Sequence, residues 1–365
     1  MTTDYLNDQI ILEDMRTIYQ SRKDWDELKN ARIYFSGATG SIASYCILFL
    51  IFLNEYEDFH ISIYAGVRNP DKAARMFGRY VGKDYFHLIV SDISLPFDED
   101  IQLDYMVHAA SLASPQYYGC APVETMLPNV VGTNELLRWC RFHPVKGFLF
   151  FSSGAVYGVI NGQQSIAEED VGTMDFLAEG NVYSESKRCG EALCRAYYKE
   201  YGIPVKVARI NHTYSPTMDI VHDKRVFSEF VSNIIKGENI VLKSDGQARR
   251  AFCYITDTVT AVFQILFQGK EGENYNVGNT DEYVRISELA ELLVNLFPEK
   301  NLIVSYGTRN DSGYKPIPES QAVKFSVGKL NKLGWYPKIT LKEGAYRTIC
   351  YFDKIFNDID HKLQN

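Results

Sequence analysis

Short apolar runs alternate with longer segments whose apolar residues recur every three to four positions. Arg32–Phe35, His60–Val67, Phe86–Val90, Tyr105–His108, Phe148–Phe151 and Val205–Ile210 read as strands. Ile42–Leu53 and Pro122–Phe142 between them read as helices, the second with Val130, Thr133, Leu136 and Leu137 on its apolar face. A further helix opens at Tyr183 and runs to about Tyr201. Strands alternating with helices predict an α/β fold with a parallel, doubly wound sheet of Rossmann type. Ahead of the first strand, Ile10, Ile11, Met15, Ile18 and Tyr19 fall at helical spacing among charges. They predict an amphipathic helix packed on the body or on a partner subunit.

Beyond His212 the alternation weakens. Thr217–Lys224 is a polar loop, Phe227–Ile235 and Thr258–Gln268 are helical, and Asn274–Val277 is strand-like. Ser287–Phe297 is helical and starts as Ser287-x-x-Ala290, a capping box without its acid. These segments predict a smaller lobe that closes over the first. The expected division is an N-terminal helical extension (1–30), a dinucleotide domain (31–211 plus about 248–277) and a lobe from about 212–247 and 278–365.

Composition narrows the function. The 365 residues are 46% hydrophobic, enough for a large core, and the net charge of −8 argues against nucleic acid or an anionic membrane as partner. Seven scattered cysteines without a Cys-x-x-Cys pair predict reduced thiols in the cytoplasm and no metal site. The acidic start lacks the basic region of a signal peptide, and Ile42–Leu53 is too short to span a bilayer.

The first predicted strand runs into Ser36-Gly37-Ala38-Thr39-Gly40-Ser41 and then a helix from Ile42. Strand, glycine turn and helix N-terminus form a pyrophosphate site, with Gly37-x-x-Gly40-x-x-Ala43 as its spacing. The second strand ends in Val67-Arg68, with Lys72 behind, where an NAD site would carry an acid. That favours a 2′-phosphate and so NADP+ over NAD+; the alternative makes Arg68 a solvated loop cation. Asp92, with Ile93, follows the third strand and suits either the adenine amino group or a plain turn. Ala109-Ala110-Ser111 leave room for a cofactor at the end of the fourth. Ser152 and Ser153 end the fifth, and Tyr183 and Lys187 share one helix face. A phenol is too weak a base at neutral pH. An adjacent ammonium and a cationic nicotinamide would draw its pKa down, while Ser153 hydrogen-bonds the same substrate oxygen.

The segments SGATGSIA, HAAS, SSGAVYG, YSESK, RINHTYSP, DGQARRAFCYITD, YNVGN and LGWYP together resemble the NAD-dependent epimerase/dehydratase family of extended short-chain dehydrogenases. The resemblance covers Ala31 to about Glu343. It implies Ser153, Tyr183 and Lys187 as catalytic residues, with Gly37, Thr39, Gly40, Ser41, Ile42, Arg68, Asp92, Ile93, Ala109, Ala110, Ser111 and Ser152 at an NAD(P) cofactor. It implies a nucleotide-diphosphate sugar as substrate, with Ser114, Ser153, Asn211, His212 and Arg250 against it. It also implies a homodimer packed through the helices around 123–141 and 183–201. The run from His108 to Thr133 is most similar to UDP-glucuronate decarboxylases, while AGVRN is similar to NADP-using GDP-mannose dehydratases.

Three departures bear on the reaction. Dehydratases of the family carry Asp-Glu after the catalytic Ser or Thr, and decarboxylases keep the Glu, where this chain has Gly154-Ala155. Val327 stands where bacterial decarboxylases have a late arginine, and His212 replaces a substrate-contacting Asn. His212 is open to two roles, sugar contact or acid/base, and to a plain pocket histidine. The expected reaction is 4-epimerisation through a transient 4-keto sugar. A 4-dehydrogenase or 4-keto reductase comes next, then decarboxylation or dehydration with an acid from Glu185 or Glu168. A non-catalytic dinucleotide sensor is the remote alternative.

Overall fold

A computed structural model of the chain describes residues 4–160, 165–307 and 324–364. Seven parallel strands form the central sheet: β1 (Arg32–Ser36), β2 (Ser62–Val67), β3 (Phe86–Val90), β4 (Tyr105–His108), β5 (Gly147–Ser153), β6 (Val205–Ile210) and β7 (Asn274–Val277), in the order β7-β6-β5-β4-β1-β2-β3. The strand-like segment at Asn274 therefore extends the same sheet. Tyr34 lies opposite Tyr64 on one side and Met106 on the other, and His108 lies opposite Phe150. The order reverses between β1 and β4, which opens a crevice at their carboxyl ends.

The N-terminal helix α1 (Gln9–Tyr19) starts where the Asp8 carboxylate accepts the Ile10 N–H at 2.9 Å. It packs on the body: Ile11, Met15 and Ile18 are fully buried. Helix α2 (Ser41–Tyr56) is buried from Ala43 through Leu53. A helix apolar on all sides needs cover on all sides. Here α1 and the helix Ile255–Gln268 pack beside it, and the Trp25 ring sits 4.7 Å from Phe49. Helix α3 (Pro70–Phe77) follows β2, capped by Asn69.

The single helix expected over Pro122–Phe142 is three pieces. Pro122–Leu127 gives way to a wider π-helical turn, Pro128–Gly132, before α4 (Thr133–Phe142). Pro128 has no N–H to donate inside a helix, so the ladder re-forms around it. Helix α5 (Val182–Tyr201) carries Tyr183 and Lys187. The smaller lobe supplies α6 (Val226–Lys236), α8 (Ile286–Leu296) and α9 (Leu341–Gln364), while α7 (Ile255–Gln268) returns to the sheet beside α2. The start of α8 also differs from expectation. Its acid is Glu288, whose carboxylate accepts the Arg285 N–H at 2.7 Å, so the cap lies ahead of Ser287. Arg249–Ala251 pairs antiparallel with Tyr283–Arg285, and Cys253–Tyr254 pairs with Thr213–Tyr214. Part of the expected second lobe, 308–323, lies outside the described residues.

Candidate active site

The first glycine turn is built by close contact. Gly37 has φ +63°, and a β-carbon there would lie 2.6 Å from the Ala110 α-carbon. Only glycine combines that φ with that approach. Gly40 then leads into α2, whose first N–H groups face the crevice. Beneath the turn, Ser36 Oγ lies 2.7 Å from His108 Nδ1 and accepts the Ala109 and Ala110 N–H groups at 3.0 and 3.1 Å. His108 Nε2 lies 3.0 Å from the Pro128 carbonyl. Burial, then the charge of Lys187, pushes this imidazole down to about 3, so it is neutral. A neutral ring with a carbonyl at Nε2 carries its proton there, and Nδ1 accepts from Ser36. His108 thus ties β1, β4 and the wide turn together. The sequence reading passed over it.

The other expected cofactor positions line the same crevice. Ser111 Oγ and Ser114 Oγ are buried with no partner, two hydroxyls that lack the polar group a nucleotide would bring. Thr39 and Ile42 are half-buried, and Ile93 packs on Gly132. Asp92 accepts the Ser94 N–H at 2.9 Å, the turn role. Ser41 Oγ lies 2.7 Å from Ser215 Oγ, which links the turn to the smaller lobe. Arg68 is exposed and makes no hydrogen bond or ion pair among the described residues. This set fits a dinucleotide.

The Ser153 hydroxyl lies close enough to the Tyr183 phenol to favour its ionised form. The Ser153 oxygen also accepts the Ala155 N–H at 3.2 Å, which holds it at the end of β5. Tyr118 stacks on the Tyr183 ring, centroids 5.1 Å apart and planes 7° from parallel. Lys187 lies one turn along α5 from Tyr183, with its ammonium over the Tyr183 ring, 5.8 Å from the centroid. Its ammonium donates to the Phe151 carbonyl at 2.6 Å and lies over the Phe150 ring at 4.8 Å. Burial pushes the Tyr183 phenol up; the Ser153 hydrogen bond and the Arg225 cation pull it back. Burial also draws Lys187 down, to about 7.

Arg225, which the sequence reading missed, is ion-paired to Asp223 at 2.6 Å and faces Tyr183 and His212. Its only signal was the basic pair Lys224-Arg225 ahead of α6. His212 is open to the crevice yet deep in it. Its surroundings, then Arg250 and Arg225, hold the imidazole well below its usual range, so it is neutral. Arg250 is half-buried and donates to the Arg249 carbonyl at 2.7 Å. Val327 is buried at the edge of the smaller lobe.

Position 154, next to Ser153, is crowded by two side chains. A β-carbon on Gly154 would run into the Asn211 amide oxygen and 2.8 Å from the Phe325 ring. Asn211 is held there by its amide N–H on the Val277 carbonyl at 3.2 Å. The acids considered in compensation are elsewhere. Glu168 accepts the Asn276 N–H at 2.8 Å and Glu185 pairs with Arg188 at 3.4 Å. A cavity of about 510 Å³, lined by Tyr157, Glu168, Arg188, Glu191 and Arg209 among others, includes none of Ser153, Tyr183 or Lys187 and is not this site.

Residues 33–278 match the family model described as "NAD dependent epimerase/dehydratase family". The chain belongs to that family. Its members are NAD-dependent enzymes acting on nucleotide sugars, and the seven-stranded sheet is the family's fold. Among its relatives is UDP-glucuronic acid decarboxylase 3 of Arabidopsis thaliana, 31% identical over 86% of this chain and 87% of that protein. Two solved structures share the fold. UDP-glucose 4-epimerase of Thermotoga maritima superposes with TM-score 0.73 at 21% identity, over 89% of this chain and 99% of that one. UDP-glucuronic acid 4-epimerase of Bacillus cereus, in complex with NAD, gives 0.71 at 19% identity, over 89% and 98%. No helix among the described residues is long and apolar enough to cross a membrane.

Proposed function

We propose that this member of the family is a nucleotide-sugar 4-epimerase that works through a transient 4-keto sugar. The observation that carries the reading is the crowded position at Gly154. No carboxylate stands beside Ser153 to protonate a leaving hydroxyl or remove a proton from carbon, and Asn211 fills the space. What remains beside position 154 is one phenol and one hydroxyl close to each other, a pair suited to holding a single sugar hydroxyl. Tyr183 takes the proton from the sugar hydroxyl and later returns it, and Ser153 holds that oxygen in place. The Gly37–Ile42 turn, Asp92–Ile93, Ala109–Ser111 and Ser152 would hold NAD(P), which when bound would supply reversible hydride-acceptor chemistry. Arg250, with Arg225 as a second cation near His212, supplies guanidinium donors suited to a diphosphate. His212, being neutral, and Ser114 supply hydrogen bonds to the sugar nucleotide.

Three finer readings go with this. NADP+ is placed ahead of NAD+ because Arg68, without a partner, stands where an acid would repel a 2′-phosphate. A homodimer follows from Val123, Met126 and Leu127, apolar and exposed on the helix beside α5. The cytoplasm suits seven cysteines that form no disulfide.

Decarboxylation of UDP-glucuronic acid is the second reading, favoured by what the Arabidopsis relative is named for. The two part in one experiment. The purified protein is incubated with UDP-glucose, UDP-glucuronic acid, UDP-N-acetylglucosamine and dTDP-glucose in deuterated water, and products are followed by NMR. Inversion at C4 without deuterium supports the epimerase. Carbon dioxide release, or deuterium at C5, overturns it.

A further inference from the structure

Lys187 is buried with a single hydrogen bond, and no carboxylate touches its ammonium. A charge so placed needs a counter-charge near it to persist. One turn further along α5, Glu191 is half-buried and makes four contacts. Its carboxylate accepts the Ser152 hydroxyl at 2.5 Å, two guanidinium N–H groups of Arg209 at 2.9 and 2.7 Å, and the Asn274 amide at 3.1 Å. Ser152 is the residue between Phe151, whose carbonyl holds the ammonium, and Ser153, whose hydroxyl lies close to the Tyr183 phenol. One carboxylate therefore grips the strand end in the middle of the candidate catalytic group.

We infer that Glu191 is a positioning residue for Ser153, Tyr183 and Lys187, fixing the end of β5 through Ser152 and acting on Lys187 through its charge. The inference rests on the functional reading above, which makes those three residues the reacting set. Other charges and titratable groups surround the pair. Tyr183 and Cys194 share α5, His108 comes from β4, and Arg209 from β6 carries Tyr157 and the Glu168 backbone carbonyl on its far side. His108 is neutral, and Cys194 is held in its thiol form by burial. Glu191 is the largest influence that favours the charged form of Lys187, against the burial that opposes it. Arg209 in turn spends both its terminal nitrogens and Nε on Glu191, Tyr157 and Glu168, which fixes the carboxylate in place.

The test needs no substrate. The full chain, with NAD+ bound, is labelled with 13C at lysine Cε, and the Lys187 signal is identified by its loss in Lys187→Arg. Its titration midpoint is compared among the wild type, Glu191→Gln and Ser152→Ala, each checked for folding by thermal melting. The midpoint of Glu191→Gln is expected about one pH unit below wild type, since a counter-charge is removed. Ser152→Ala, which loses the hydrogen bond and not the charge, keeps the wild-type midpoint. An unchanged or higher midpoint in folded Glu191→Gln overturns the inference. Should that variant not fold, Glu191→Gln/Arg209→Gln replaces a buried ion pair with two amides and carries the same expectation and the same overturning result. Because the readout is a titration, it stands or falls apart from the nucleotide-sugar assay that decides the reaction.

Discussion

Tyr183 without its hydroxyl keeps its ring, its stacking on Tyr118 and its place on α5. Tyr183→Phe is therefore expected to bind nucleotide like the wild type while turnover falls about 10²–10⁴-fold, the usual worth of a positioned acid–base group. Calorimetric binding beside a product assay separates the two. Gly154 gives a second residue-scale test. Gly154→Ala forces a methyl into the Asn211 amide and should cost about 1–3 kcal/mol in urea unfolding. Asn211→Ala in the same chain should recover most of it. Tyr183, Lys187, Ser153 and Gly37 were legible in the sequence because chemistry or backbone geometry restricts those positions to few residue types. Arg225 and His108 were not. A lone cation before a helix and a histidine inside an apolar strand look ordinary until the fold places them beside a phenol and a serine.

At the scale of elements, the N-terminal helix is the part whose use the sequence left open. Its spacing announced an apolar face, but the partner of that face is not a property of the helix. The structure gives it α2 and α7, and a buried acid as well. Asp14 accepts the hydroxyls of Tyr45 on α2 and of Tyr254 (2.6 Å), and an Arg347 N–H from α9 at 2.6 Å. Burial pushes this carboxyl up to about 6, against the two phenols and Arg347. The folded protein thus holds the Asp14 proton more tightly than the unfolded chain does. The stabilisation is full below about pH 4 and is lost as pH rises through 6, a swing of about 3 kcal/mol. Urea unfolding at pH 4 and pH 7 should show that swing as the difference between wild type and Asp14→Asn. Equal pH dependence in both would contradict it. The break at Pro128 was legible in hindsight. A proline inside a helical pattern ends or distorts it, and the unbroken apolar stripe from Val130 to Leu137 masked the signal.

For the whole molecule, the alternation of strands and helices was enough to predict the doubly wound sheet, because each strand buried on both faces must be apolar throughout. The smaller lobe was harder to read. Its strand pairs are two or three residues long and join segments far apart in sequence, such as Thr213–Tyr214 with Cys253–Tyr254, so no local period marks them. Assembly is a property of this scale too. Leu127→Glu on the exposed apolar helix should move sedimentation from twice the 41.7 kDa chain mass to the single chain, with the melting curve little changed. A wild-type protein that sediments as a monomer would remove the homodimer from the proposal.

The contact between residues 154 and 211 also constrains how such a protein can change over generations. One codon change at 154 could introduce a carboxylate, but it would arrive into occupied space and be selected against before its chemistry could be tried. A shrinking change at 211 must come first, and by itself it opens a hole with no reward. The two positions form a ratchet against an acid at 154, while Ala155, whose β-carbon is already accommodated, lies outside it.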